Sequence, residues 1–459
     1  MNKLARRAWA TAVLAALIVA GLCTVIVRYF VDGGKWVTFQ NSPHVYNDAG
    51  VLDMGTVTDR HGTVVMDTSD GRTYAENASV RRGMLHLLGD SQGYVQHYLL
   101  DTYSNLMVGF DRFNGAYYAE NGSGSMKLTI SAEAQRAAID ALGGRKGTVG
   151  VYNYKTGEVL CMVSSPAFDP YDPPSYEEIE SDDSYDGVFV NRFVHSVYAP
   201  GSTFKLVTAA AALEKLDGIK DRTFVCNGSS EIAGETVICN GVHGTISFEQ
   251  ALCYSCNVAF AEIASELGAD TLTAYAEKIG ITDSLSFDGF GTTRGRFDIK
   301  KAGPFEVAWA GIGQYTDQIN PCQYMTYMGA IANGGKAAEP YLVSEVSFDG
   351  SVKYSAKTEL GAQVIDGDTA DSLAEMMHYT VANNYGEWYF SGLYAGAKSG
   401  TAERGEGLEP NALLAGFSQD SAYPLAFVVV VEGGGGGGVT CCPIIRQVLD
   451  ACIVSMDNS

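Results

Sequence analysis

The chain has 459 residues, 46% of them apolar and 18% charged, more than one ordinary domain and enough apolar content for a sizeable core. Its 31 Lys and Arg against 53 Asp and Glu leave a formal net charge of −22. That balance argues against a nucleic-acid partner, which needs a basic face, and against peripheral docking on anionic lipid.

The N-terminus opens with Lys3, Arg6 and Arg7, and an uncharged apolar run follows from Ala8 to Val27. Twenty such residues in a helix span about 30 Å, the thickness of a bilayer core. Positive charge ahead of the span predicts a cytoplasmic tail (1–7), an anchor (8–27) and an exported remainder. A cleaved signal peptide is the rival reading, but its apolar region is usually shorter and ends in an A-x-A-like site, and this run does not end in one. Lipidation at Cys23 is a second rival; "AGL" before it is a poor match, and the apolar run continues past it.

Residues 31–125 are mixed. "GTVTDRHGTVVMD" reads as strand-turn-strand, and "DRFNGAYYAENG" as a second hairpin. "MKLTISAEAQRAAIDALGG" predicts a strand, then a Ser-capped helix closed by Gly. Two β-rich runs follow in "GTVGVYNYKTGEVLCMVSSP", joined by a turn, and segment 169–186, with eight carboxylates, reads as a solvated loop. From 198 to about 335 the pattern is largely helical. "LYAGAKSGTAE", "NALLAGFSQ" and "LAFVVVVE" then read as a strand meander, Gly433–Gly438 as a flexible link, and "PIIRQVLDACIVSM" as a closing helix. Strands, a helical block and strands again predict one α+β domain whose sheet draws on both ends of its segment.

The chemistry gathers around "YAPGSTFKLVTAAAALE". Ser202 and Lys205 sit three apart, on one helical face. A Ser hydroxyl is a weak nucleophile until a base takes its proton. Lys serves as that base when desolvation strips its charge, and the apolar "LVTAAAAL" supplies such surroundings. S-x-x-K alone is weak evidence. Its company is stronger: Ser255-Cys256-Asn257 forms an S-x-N downstream, and Lys398-Ser399-Gly400-Thr401 a K-S-G-T near the end. An earlier Lys155-Thr156-Gly157 spells K-T-G but lies in a hairpin turn that explains it fully.

This ordered trio is that of penicillin-binding proteins and serine β-lactamases. With "VTDRHGTVV", "LTISAEAQRAA", "TGEVLCMVSSPAFDP", "NRFVHSVYAPGSTFK", "HGTISFEQALCYSCNVAF" and "GIGQYTDQINPCQYMTYMGAIANGG" in the same order, most of the exported chain resembles a class B penicillin-binding protein, a monofunctional peptidoglycan D,D-transpeptidase. Departures are a short N-terminal region and the middle residues Cys256 and Ser399. The resemblance implies a β-rich pedestal (28–146) and a transpeptidase domain (147–459) with a central antiparallel sheet and a helical subdomain. It implies that Ser202 attacks the penultimate D-Ala carbonyl of a stem peptide, Lys205 accepts its proton and Ser255 relays it to the leaving D-Ala. Asn257 would hold the substrate amide, while Lys398, Ser399, Gly400 and Thr401 form the strand that binds the terminal carboxylate or a β-lactam. Backbone N–H groups of Ser202 and Thr401 would form the oxyanion hole. The implied location is the bacterial cell membrane, single-pass, with the catalytic domain outside.

No cofactor or metal is expected. Cys226 and Cys239 are the best disulfide pair among ten Cys, and the C-x-x-C of Cys253 and Cys256 lacks a second ligand pair. His195 and His243 read as surface loop residues, and "GIGQ" (311–314) as a Gly turn at a helix start. A serine β-lactamase is disfavoured because neither Glu262 nor Glu266 lies in an E-x-x-L-N box, and a silent sensor or scaffold because the motif residues are intact. A D,D-carboxypeptidase is the alternative least excluded. The roughly 120 residues between anchor and catalytic domain are too few for a folded glycosyltransferase plus linker. By family analogy, glycan polymerisation would fall to a SEDS-type partner.

Overall fold

The computed structural model describes residues 2–38, 46, 51–96, 98–110, 113, 123–405 and 407–458. Helix α1 (Asn2–Val37) carries the predicted anchor, and its apolar side chains, such as Leu14, Ile18 and Leu22, are exposed. Among the described residues, two helices are long and apolar enough to cross a membrane, this one and Gly437–Asp457. The latter is packed into a core, as described below. The hairpin read at 111–122 lies outside the described residues apart from Phe113.

The first strand-turn-strand forms as read, Thr56–Thr58 pairing antiparallel with Val64–Asp67. It belongs to a six-stranded sheet completed by Thr73–Tyr74 and Gly124–Leu128 and, from far downstream, by Val343–Phe348 and Ser351–Ser355. That late contribution has no local signal in the sequence; it ties the N-terminal region to the catalytic half through main-chain hydrogen bonds.

Helix α2 (Ala132–Leu142) starts at Ser131, whose hydroxyl accepts from Ala134 N, and ends at Gly143 in the left-handed conformation. The five-stranded sheet that follows uses β1 (Gly147–Asn153), β2 (Val159–Ser165), β3 (Ala395–Ala402), β4 (Asn411–Ser418) and β5 (Leu425–Val431). Its order is β3-β4-β5-β1-β2, antiparallel throughout. Every residue of β1, β2 and β5 is buried. Such continuous apolar runs mark strands covered on both faces, where period-two alternation disappears.

One face is covered by α2 and the C-terminal helix Gly437–Asp457, which meet the sheet through Ala138, Leu142, Ile445 and Val448. The other is covered by the helical block. There α3 (Lys205–Lys215) presents the fully buried Leu206–Ala212, whose four Ala let α5 (Asn257–Lys278) approach closely. Between them in the chain comes α4 (Phe248–Cys253), capped by Ser247 and Gln250 in a reciprocal box. Helices α6 (Pro304–Gly311), α7 (Pro321–Ala332) and α8 (Gly367–Thr380) complete the block, and α9 is the C-terminal Gly437–Asp457.

Two details depart from the sequence reading. The helical stretch is interrupted by six short strands: Thr223–Cys226, Ser229–Ile232, Glu235–Ile238 and Gly244–Ser247, paired as two small sheets, and Ser286–Phe287 with Phe290–Gly291 as a third. The glycine run is a tight turn leading into α9 rather than a loose link. A Cβ on Gly437 would overlap the carbonyl oxygens of Gly400 and Leu413, so only Gly lets α9 press against β3 there.

Candidate active site

Ser202 lies in a 3-10 turn (Gly201–Phe204) immediately before α3, and Lys205 is the first residue of α3. Gly201 has φ +51, and a Cβ there would come within 2.6 Å of the Thr401 carbonyl oxygen. Gly400 faces Pro200 just as closely. The turn carrying Ser202 therefore rests directly on β3, which brings the backbones of Ser202 and Thr401 to one rim. Ser255 sits between α4 and α5 with φ 56, a conformation costly for a non-Gly residue. Its hydroxyl faces the amines of Lys205 and Lys398.

The Lys205 Nζ is 3.0 Å from Ser202 Oγ, 2.7 Å from Ser255 O, 2.7 Å from Asn257 Oδ1 and 3.2 Å from Ser255 Oγ. Asn257 Nδ2 donates to Ile238 O at 2.9 Å, which fixes the amide so that its oxygen faces Lys205. A neutral amine has two N–H donors and one lone pair. Ser255 O and Asn257 Oδ1 accept the two donors, leaving the lone pair for the Ser202 proton. Lys205 is fully buried, and this burial, reinforced by the charge of Lys398, holds its pKa well below the ordinary lysine value.

Lys398 on β3 is also fully buried; burial lowers its pKa to about 7. It donates to Ser255 Oγ at 3.0 Å and to Ser399 O at 2.9 Å. Ser255 Oγ thus bridges the two lysines. The sites named from the sequence converge: Ser202, Ser255, Asn257, Ser399 and Thr401 line one cavity of about 890 Å³, with Lys205 and Lys398 beneath its floor. Gly400 does not line the cavity; its place is the close approach to Pro200.

Two contributors escape sequence reasoning. "GIGQ" closes α6 rather than opening a helix, and Gln314 Nε2 donates to Thr401 O at 3.0 Å. Gly313, at φ +85, packs against Gly201. Tyr385 OH lies 2.8 Å from Ser399 Oγ and accepts from Ser399 N at 2.8 Å. The neighbouring Asn384 donates to Cys253 O at 2.7 Å, bracing α4. A Gly-x-Gly-Gln bend is a usable signal for the first; "VANNYG" carries none for the second.

The cysteines also differ from expectation. Cys226 and Cys239 are free thiols. Cys253 and Cys256 do not act as a pair: Cys256 turns toward Cys226, Cys239 and His243. His195 stacks edge-on against Tyr98, outside the site.

Residues 147–450 match the family model of the penicillin binding protein transpeptidase domain. Among curated proteins, the chain is 31% identical to stage V sporulation protein D of Bacillus subtilis, over 63% of this chain and 46% of that protein. It is 28% identical to the peptidoglycan D,D-transpeptidase PbpA of Mycolicibacterium smegmatis, over 61% of each. The chain thus spans about half to three fifths of the length of these relatives. Among solved structures, the D,D-transpeptidase domain of a peptidoglycan glycosyltransferase from Eggerthella lenta superposes with a TM-score of 0.73 at 27% identity, covering 87% of this chain and 98% of that one. With two thirds of its length matching the family model, and the Ser-Lys pair, the S-x-N turn and the K-S-G-T strand around one cavity, the chain belongs to the penicillin-binding protein transpeptidase domain family.

Proposed function

We propose that this chain is a serine-type peptidoglycan D,D-transpeptidase that binds penicillin covalently, and that Ser202 is its nucleophile. The observation that carries the reading is the buried Lys205 amine, 3.0 Å from Ser202 Oγ with its N–H groups already committed to Ser255 O and Asn257 Oδ1. Ser202 Oγ attacks the penultimate D-Ala carbonyl as its proton passes to Lys205. The N–H groups of Ser202 and Thr401 stabilise the oxyanion, each such donor being worth about 3 kcal/mol. The C–N bond then breaks, and the proton travels through Ser255 to the departing D-Ala amine. Lys398, with Thr401, binds the terminal carboxylate, and Asn257 orients the donor amide. An acceptor amine, or water in a carboxypeptidase, releases the acyl group.

The same proposal places residues 1–7 in the cytoplasm, residues 8–27 in the membrane and the catalytic domain outside, supported by the charge-then-apolar pattern and the exposed apolar surface of α1. It includes a SEDS-type polymerase contacted through the anchor and pedestal. Co-purification of such a polymerase, lost when residues 1–125 are replaced by an unrelated anchor, tests that part; unchanged association would refute it. For the activity, purified full-length protein is incubated with D-Ala-D-Ala stem peptide and an acceptor peptide, and products are read by mass spectrometry. Cross-linked dimer plus free D-Ala is the expected result. Trimmed tetrapeptide without dimer would make the enzyme a carboxypeptidase, and rapid turnover of penicillin a β-lactamase.

A further inference from the structure

Four side chains with no role in the acyl-transfer reading converge beside the Ser255–Asn257 turn. Cys226 ends the strand Thr223–Cys226, Cys239 follows Glu235–Ile238, His243 precedes Gly244–Ser247, and Cys256 caps α5. One ligand atom from each lies within 4.8 Å of all the others. A tetrahedral zinc ion with Zn–S near 2.3 Å and Zn–N near 2.05 Å requires edges of about 3.8 Å between sulfurs and about 3.6 Å between sulfur and nitrogen. Cys239 Sγ is 3.8 Å from Cys256 Sγ and 3.6 Å from His243 Nδ1. The sequence reading expects no metal because Cys253 and Cys256 lack a partner pair; folding supplies three other ligands to Cys256 and leaves Cys253 aside.

We propose that Cys226, Cys239, His243 and Cys256 bind one structural Zn²⁺ that fastens the segment 223–247 to the turn carrying Ser255 and Asn257. A disulfide is the competing use of these thiols. It would engage two sulfurs and leave the third, together with the imidazole facing Cys239, unaccounted for. The set of three thiolates and one imidazole selects zinc by ligand softness and closed four-coordination. Backbone N–H groups already point at two of the sulfurs, Asn257 N at Cys239 Sγ (3.2 Å) and Ala259 N at Cys256 Sγ (3.5 Å), the outer contacts expected around thiolate ligands.

The placement gives the ion a task. Of the hairpin strands Ser229–Ile232 and Glu235–Ile238, only Val237 is buried, so the segment has almost no core of its own and gains from a staple. It nevertheless forms one wall of the catalytic cavity through Thr236, Ile238, Cys239 and Asn240. It also positions the S-x-N turn: Ile238 O holds the Asn257 amide, and Asn240 Nδ2 reaches Tyr254 O at 3.3 Å. Loss of the ion would free this wall and let Asn257 leave Lys205.

The test is the metal content of the full-length protein, purified in detergent from zinc-replete cells. About one zinc per chain is expected, falling below about a tenth in both Cys226→Ser and His243→Ala. Cobalt exchange should give thiolate-to-cobalt charge transfer and tetrahedral ligand-field bands, both lost in the variants. Chelation should slow fluorescent-penicillin acylation by about tenfold or more, restored by adding zinc back. Wild-type protein with little zinc, or a Cys226–Cys239 or Cys239–Cys256 disulfide in a non-reducing peptide map, would overturn the proposal. So would zinc that persists in both variants. Because zinc content is read without substrate, a chain that holds zinc yet takes no penicillin contradicts the proposed activity alone.

Discussion

Replacing Lys205 by Met removes the amine while keeping an unbranched side chain of similar reach. Two opposing changes in stability follow. Ser255 O and Asn257 Oδ1 lose donors at 2.7 Å, at about 1–3 kcal/mol for each buried acceptor left unpaired. Against that, a fully buried amine whose charged form is strongly disfavoured gives way to an apolar group that belongs in such a place. The net change in stability is expected to stay within about 3 kcal/mol, so the variant folds. Catalysis has no such compensation. A positioned general base contributes about 10²–10⁴-fold, which is about 2.7–5.4 kcal/mol at 1.36 per decade. The second-order rate of acylation by a fluorescent penicillin should fall by that factor, with the thermal transition retained. The acid-side pH dependence of acylation should flatten as well, since the group that titrates is gone. A cooperative melt with acylation within tenfold of the wild type would show that Lys205 is not the base.

The two lysines impose opposite demands on pH. Lys205 must be neutral, so acylation rises as pH passes upward through its depressed pKa. Lys398 must be charged to hold a carboxylate, so kcat/KM for carboxylate substrates should fall above pH about 7 as Lys398 discharges. A profile that keeps rising to pH 9 would contradict that role. Gly437→Ala places a methyl on the carbonyl oxygens of Gly400 and Leu413. It should displace β3 and cost about 1–3 kcal/mol, read as a lower melting midpoint together with slower acylation; an unchanged midpoint would contradict the close packing of α9 on β3. Tyr385→Phe removes the oxygen that accepts from Ser399 N. Calorimetry should show a loss of about 1–3 kcal/mol with the acylation rate constant little changed; a hundredfold rate loss would instead give Tyr385 a chemical role.

Much of the site was legible because its chemistry is carried by short spacings. Lys205 follows Ser202 by three positions, which a helical turn makes into contact, and the β5 run of Val is long enough to declare a strand. Pairings across long sequence distances were not legible. Nothing local to Val343–Ser355 announces that it completes a sheet begun at Thr56. The pairs Gly201–Gly313 and Gly400–Gly437 become meaningful only when the backbones they allow to touch are seen together. "CNGSSEIAGETVIC" suggested a disulfide because two of the four ligands were visible in one stretch. His243 and Cys256 join them only after the segment 223–247 folds back on α5. Gln314 was read as part of a plain turn, and its amide acquires a partner only once β3 lies alongside.

The most direct measurement of the central claim is the intact mass of the full-length protein after brief exposure to penicillin G, followed by peptide mapping of the adduct. One acyl group per chain, confined to the peptide containing Ser202 and absent in Ser202→Ala, is the expected result. An adduct on another residue, or undiminished labelling of Ser202→Ala, would contradict the account.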